Sequence, residues 1–332
     1  MERRITLVVV SILCLLILAS IGFAQSTRTI YVGLVSITPS NAPVLAAVDA
    51  GYFKKQGLDV KPLVLSGSST ALAAMLSGDM GFINVAGSGL INAYLGGRDA
   101  VMVAGLVNFA PYDLIVAKGI NTLEDLRGKK VGIARFGGSA DFLARYGLEK
   151  HGIKPGKDVT ILQTGGNAER FAAVSQGAIQ ATMLEQGFAY QAKKAGFRSL
   201  LDFATMGLDY QHSGISSTRS YLAKNHELAS RFLKALVEGN HRLKTDRAFG
   251  LKVLERHLRI SDQDTLRAAY DYYTPKLDVV PYVNLKGIKF LLDITAESNP
   301  KAQTVKPEDV GDNSPLREVE ASGFLKQIGA GR

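Results

Sequence analysis

Cysteine is all but missing: the 332 residues hold one, Cys14, inside an apolar run near the start. No intrachain disulfide is available, and a chain trimmed beyond that run has no thiolate for a metal site or a nucleophile. Tryptophan is absent, so there is no indole platform for a ring or an ammonium group. The five histidines, at 151, 212, 226, 241 and 257, show no metal-ligand spacing. His226, His241 and His257 sit among Lys and Arg on helical stretches and read as surface or boundary residues. No metal and no cofactor are expected. No Lys/Arg run interleaved with aromatics is present to line a nucleic-acid groove. The formal net charge of +9 is dispersed and reads mostly as solvated surface.

What is present begins with a targeting segment. Arg3 and Arg4 form a basic start, Ile5 to Ile21 is nearly all apolar, and Gly22-Phe23-Ala24 offers small residues at the −3 and −1 positions. Residues 1–24 are therefore expected to be a signal peptide, cleaved on export to the periplasm. Leu13 stands where a lipid-attachment site needs a small residue, so no lipid anchor is expected at Cys14. Loss of Glu2, Arg3 and Arg4 removes one negative and two positive charges, taking +9 to +8. About 308 residues remain, enough for two domains with cores of their own.

The stretch from Asp59 to Gly89 reads as strand, polar glycine turn, helix, strand, and a second small-residue turn. Ser66-Gly67-Ser68-Ser69 supplies candidate N-cap oxygens, Leu72, Met75 and Leu76 follow at helical spacing, and Gly78 closes the helix. The unit recurs. Residues 31–85 laid over 130–184 without a gap match at twelve positions, from Val32/Val131 and Gly33/Gly132 to Gly67/Gly166 and Gly78/Gly177. Composition alone gives roughly four, so a duplicated supersecondary unit and two similar α/β lobes are expected. Residues 29–37 read as the first strand, with a helix over about 43–55 behind it. From Tyr221 to about Tyr273 the periodicity is helical.

In an open α/β sheet the ligand crevice lies at the carboxyl ends of the strands. Polar turns occur at those places: Ser36, Thr38 and Asn41 after the first strand, Gly67, Ser68 and Ser69 after the second. Ala86, Gly87 and Ser88 follow the third, and Asn108 and Phe109 the fourth. In the second copy the equivalents are Arg135, Gly137, Gly138 and Ser139, then Glu185 and Gln186. Gly137-Gly138 permits close backbone approach. Glu185 either binds a ligand amine or caps the next helix, and it repels a plain anion unless Arg135 or a ligand amine offsets it.

The chain resembles the extracytoplasmic substrate-binding proteins of ABC importers for sulfonates, nitrate and taurine, which share a domain with thiamine-precursor pyrimidine-binding proteins. The residues that carry this are A-x-D-A-G-Y-F-K-K-Q-G-L-D-V from Ala47 to Val60 and G-S-S-T-A-L-A-A-M-L-S-G-D from Gly67 to Asp79. L-E-D-L-R-G-K-K-V-G from Leu123 to Gly132 and D-N-S-P-L-R-E-V-E-A-S-G-F from Asp312 to Phe324 add to them. The resemblance implies a type II periplasmic binding protein, two α/β lobes with a ligand cleft between them. Lobe 1 would take 28–110 plus 211–332 and lobe 2 would take 111–210. It implies a monomer without enzymatic activity that hands a small-molecule ligand to a membrane permease served by an ATPase. The same polar turns would touch the ligand, with Ser68, Ser69 and Ser139 foremost. A pyrimidine-type thiamine precursor, or a sensing module that passes solute to a receptor, are the alternatives. A pyrimidine-synthase-like enzyme is disfavoured, because those relatives use a cysteine-rich motif that this chain lacks.

Overall fold

Thr29, Ile30, Tyr31 and Val32 in RTIYVGL are residues that favour a strand, and in the computed structural model Arg28–Leu34 is strand β1. The structure describes residues 28–331 apart from Ser36, Ser66, Arg259 and Ser261. The expected leader, residues 1–24, and the candidate Ser36 lie outside the described residues. Helices of eight residues or more are numbered here. The chain continues through α1 (Ala42–Asp49), β2 (Leu58–Val64), α2 (Ser68–Leu76), β3 (Phe82–Ala86), α3 (Gly87–Leu95) and β4 (Val101–Val107). It then crosses to β5 (Tyr112–Val116), β6 (Lys130–Ile133), α4 (Ser139–Lys150), β7 (Thr160–Gln163), α5 (Asn167–Ser175), β8 (Ala181–Glu185), α6 (Gln186–Lys194) and β9 (Arg198–Asp202). A return crossing gives β10 (Ser213–Ser217). The remainder is α7 (His226–Thr245), α8 (Arg247–Leu258), α9 (Gln263–Tyr273), α10 (Leu285–Ala296) and α11 (Ser314–Ala321).

Two five-stranded mixed sheets result, in the orders β2-β1-β3-β10-β4 and β7-β6-β8-β5-β9. The order is the same in both. β1 runs parallel to β2 and β3, as β6 does to β7 and β8, and each sheet takes one antiparallel strand, β10 or β5. The internal echo has its physical form here: α5, β8 and α6 each begin 99 residues after α2, β3 and α3. This is the two-lobed α/β architecture that the sequence leads one to expect.

One core packs β1, β3 and β4 against α1, α7, α8 and α9, with Phe232 of α7 stacked on Phe82 at 4.3 Å. A second runs from Ile83 and Met102 of the first sheet through Leu90, Ile91, Ile288 and Leu291 to Leu114, Val131 and Met183 of the second. Hydrocarbon therefore joins the lobes along one side of the seam. The stretch expected to be helical over about 43–55 turns at Gly51, whose φ of +73° separates α1 from a short turn of helix at Tyr52–Lys55. One detail differs from the reading of the sequence: the first strand, expected over 29–37, stops at Leu34.

Candidate functional site

The other side of the seam is open. A cleft of about 1620 Å³ lies between the lobes, lined from both of them and from the return crossing. Three of its walls are helix starts. α2, α4 and α5 have Gly67, Gly138 and Gly166 as N-caps, residues with no side chain to close the first turn. The expectation that a serine of the SGSS turn caps α2 is thus corrected: Gly67 takes the cap position, with Ser68 and Ser69 inside the first turn. Backbone N–H groups of such first turns have no intrahelical acceptor and carry the positive end of the helix dipole. The side of the turn before α4 is occupied: Asp141 accepts from Gly137 N at 2.9 Å, and Gln163 Oε1 from Phe136 N at 2.9 Å.

Glu185, at the end of β8, is the polar centre of the floor. It is buried and accepts hydroxyl hydrogen bonds from Ser40 at 3.0 Å, Tyr112 at 3.2 Å and Tyr273 at 3.4 Å. Ser40 and Tyr273 come from the first lobe's elements and Tyr112 from the second, so this carboxylate ties both sides of the cleft together. Burial first, and the Glu185 charge second, hold the phenols of Tyr112 and Tyr273 well above their usual range, so both are donors. Arg170 lies behind, 1% exposed, with Nε donating to the Met183 carbonyl at 2.9 Å and the two terminal nitrogens to the Gly165 carbonyl and Asn167 Oδ1 at 2.6 and 2.8 Å. Its guanidinium pins the turn before α5 and offsets Glu185. His212 sits 3.9 Å from Glu185 through Nε2. Burial lowers its pKa and the Glu185 charge opposes that shift, so the ring is neutral at pH 7.

Most of the residues expected at the site share this cleft: Thr38, Asn41, Gly67, Ser68, Ser69, Ala86, Arg135, Gly137, Gly138, Ser139 and Glu185 all line it. Others face elsewhere. Gly87 admits the crossing segment, since a Cβ there would stand 2.5 Å from the Gln211 carbonyl. Ser88 donates to the Gly137 carbonyl at 3.3 Å and so links α3 to the second lobe. Asn108 donates to the Tyr282 carbonyl at 3.0 Å, and Phe109 packs on Tyr272 and Tyr273. Gln186 donates to Asp113 at 2.6 Å inside the second lobe. The placement of these five is set by chain crossings, which strand-end counting does not see. Conversely, Asn84, Asn167, Arg170, Tyr112, His212 and Ser213 line the cleft without having been singled out. Asn84 carried a signal, as the one polar residue in the apolar strand FINVA, and Arg170 another, as a charge at apolar helix spacing.

A family model described as NMT1/THI5 like matches residues 38–246. YtlA of Bacillus subtilis is 26% identical over 239 residues, which cover 69% of this chain and 70% of YtlA. The 4-amino-5-hydroxymethyl-2-methylpyrimidine phosphate synthase THI11 of Saccharomyces cerevisiae is 29% identical over 217 residues, 60% of this chain and 62% of the yeast protein. The chain thus spans less than two thirds of that enzyme. Among solved structures, the alkanesulfonate-binding protein SsuA from Xanthomonas axonopodis pv. citri, bound to MOPS, has the same fold. The TM-score is 0.70 at 18% identity, with 87% of this chain and 97% of that one covered.

Proposed function

This chain belongs to the NMT1/THI5-like family, and from that premise we propose that it is the extracytoplasmic solute-binding component of an ABC importer. It holds one small polar organic solute between its lobes and performs no chemistry on it. The observation that carries this reading is the cleft itself: glycine-capped helix starts from opposing lobes face a buried polar floor built by both lobes and the return crossing. The helix starts offer N–H groups to acceptor atoms of the solute, and the hydroxyls of Ser68, Ser69 and Ser139 add to them. Closure about the crossing segments would exclude water and strengthen those bonds. Delivery to a permease and its ATPase, export behind a cleaved leader, and a monomeric state complete the proposal. No helix among the described residues is long and apolar enough to cross a membrane.

Native mass spectrometry of the purified protein should reveal a co-purified small molecule. That molecule, added back at 100 times its dissociation constant, should stabilise the protein by about 2.7 kcal/mol. Ser68→Ala combined with Ser139→Ala should weaken its binding about tenfold or more, and unchanged affinity in calorimetry would remove the helix starts from the site. The second reading, a pyrimidine-type precursor as solute, is favoured by the name of the yeast relative. Its check is whether a hydroxymethylpyrimidine shifts the melting temperature.

A further inference from the structure

We propose that the solute carries an apolar arm, and that this arm lies in the groove between α2 and α3, roofed by Phe136 of the second lobe. The inference deepens the reading of the chain as a solute-binding protein and rests on it. Along α2 the residues on the cleft are Ser68, Ser69, Leu72, Ala73 and Leu76, with Ser77 just past its end. Their spacing is that of one helix face over its whole length, about 12 Å at a rise of ~1.5 Å per residue. α3 supplies the facing wall with Gly89, Asn92 and Ala93. The two helices touch at their starts, where a Cβ on Gly89 would stand 3.1 Å from Ser68 Cβ. From there the groove turns apolar and small-sided through Leu72, Ala73, Leu76 and Ala93. No carboxylate lines it: the charged residues on these walls are Arg135 beside the start of α2 and Arg98 beyond the end of α3.

The roof is a turn of the second lobe held in place from several sides. Phe136 N donates to Gln163 Oε1 and Gly137 N to Asp141, both at 2.9 Å, and Ser88 of α3 donates to the Gly137 carbonyl at 3.3 Å. The turn spans both helices. A Cβ on Gly67 would stand 2.7 Å from Arg135 Cδ, and one on Gly137 would stand 3.1 Å from Asn92 Nδ2. Between those two contacts the turn carries Phe136, which lines the cleft and is 52% exposed. Val64, ahead of α2 on the other lobe, lines it too and is 56% exposed. A fixed turn that holds an aromatic ring in water beside an apolar groove is a surface that a ligand completes. A solute of a few heavy atoms at the helix starts would leave it wet, and an alkyl or aryl arm covers it.

Butanoate, octanoate, butanamide and octanamide, each titrated into the purified protein by ligand-observed NMR, read the arm under two different heads. Octanoate should bind about tenfold or more tighter than butanoate, and octanamide than butanamide, since each buried methylene is worth roughly two- to fourfold. A gain under either head sustains the arm. Ala73→Phe, which plugs the groove from an exposed position, should bring the ratio of long-chain to short-chain affinity close to one. Phe136→Ser should lower that ratio about threefold or more. Met206→Ser, at an exposed apolar residue away from the cleft, should keep the ratio, and circular dichroism of each variant checks the fold. Long and short probes that bind alike, a ratio that survives Ala73→Phe, one that is lost equally in Met206→Ser, or silence from all four probes would overturn the inference. The function itself falls separately, if native mass spectrometry of wild-type protein finds no carried solute.

Discussion

Arg170, buried behind the cleft floor, shows how much of the site depends on one side chain. Its donors close three acceptors, the Met183 and Gly165 carbonyls and Asn167 Oδ1, and Asn167 Oδ1 in turn accepts from the backbone N–H of Glu185 at 3.0 Å. Arg170→Met keeps the stem and strands those acceptors together with the Glu185 charge, so a loss of about 3–5 kcal/mol is expected in urea unfolding. His212 sets a pH dependence. Its folded pKa lies below the unfolded value of about 6.5, so the unfolded chain binds more protons between the two. Stability is therefore full above pH 6.5 and falls as the pH drops toward the folded pKa, by about 1.4 kcal/mol for each unit of depression. Melting temperatures of wild type and His212→Gln between pH 8 and 5 check this, and the variant should be flatter. Asp113, raised by burial against the pull of Lys193, works in the opposite sense: its folded form takes a proton early and so gains stability as the pH falls.

Among the elements, the helix starts are where sequence and structure can be compared residue by residue. The duplication was legible as twelve matched residues, and the elements follow it because glycine and apolar spacing, which fix helix ends and buried faces, were the features repeated. Gly67 and Gly166 illustrate this: both are matched in sequence, and both are N-caps of helices that open on the cleft. What was not legible came from contacts between distant segments. Asn108 and Phe109 sit at a strand end as foreseen, yet the segment around 272–282 claims them. His212 and Ser213 had no local signal, since only the return crossing brings them to the cleft. Gly67 also carries a prediction. Its φ of +87° with ψ of 167° is a region that suits glycine, and a Cβ would lie 2.7 Å from Arg135 Cδ across the cleft. Gly67→Ala should cost about 1–3 kcal/mol of unfolding free energy. Arg135→Ala in the same background should not restore it, because the backbone term remains after the side chain has gone.

On the scale of the whole molecule, the two lobes are fastened along one side and free along the other. The hydrocarbon seam through Leu90, Leu291 and Leu114 and the wedged crossing at Gly87 and Gln211 form the fastened side. Ser88 with Gly137, and Ser40 with Glu185, are the polar bridges nearer the cleft. Closing on a solute should therefore be a rotation about the seam, seen in small-angle scattering as a smaller radius of gyration with ligand than without. An unchanged value would argue for a rigid cleft. The strand order has a further bearing on how the chain is made. Sheet two is complete once residue 202 has emerged, but the slot between β3 and β4 is filled only by Ser213–Ser217. A nascent chain threaded outward from its amino end thus carries two bare strand edges, side by side and hungry for pairing, until more than a hundred further residues have arrived. The interval before that last strand slides home is when a chaperone, or a neighbouring copy, has its opening.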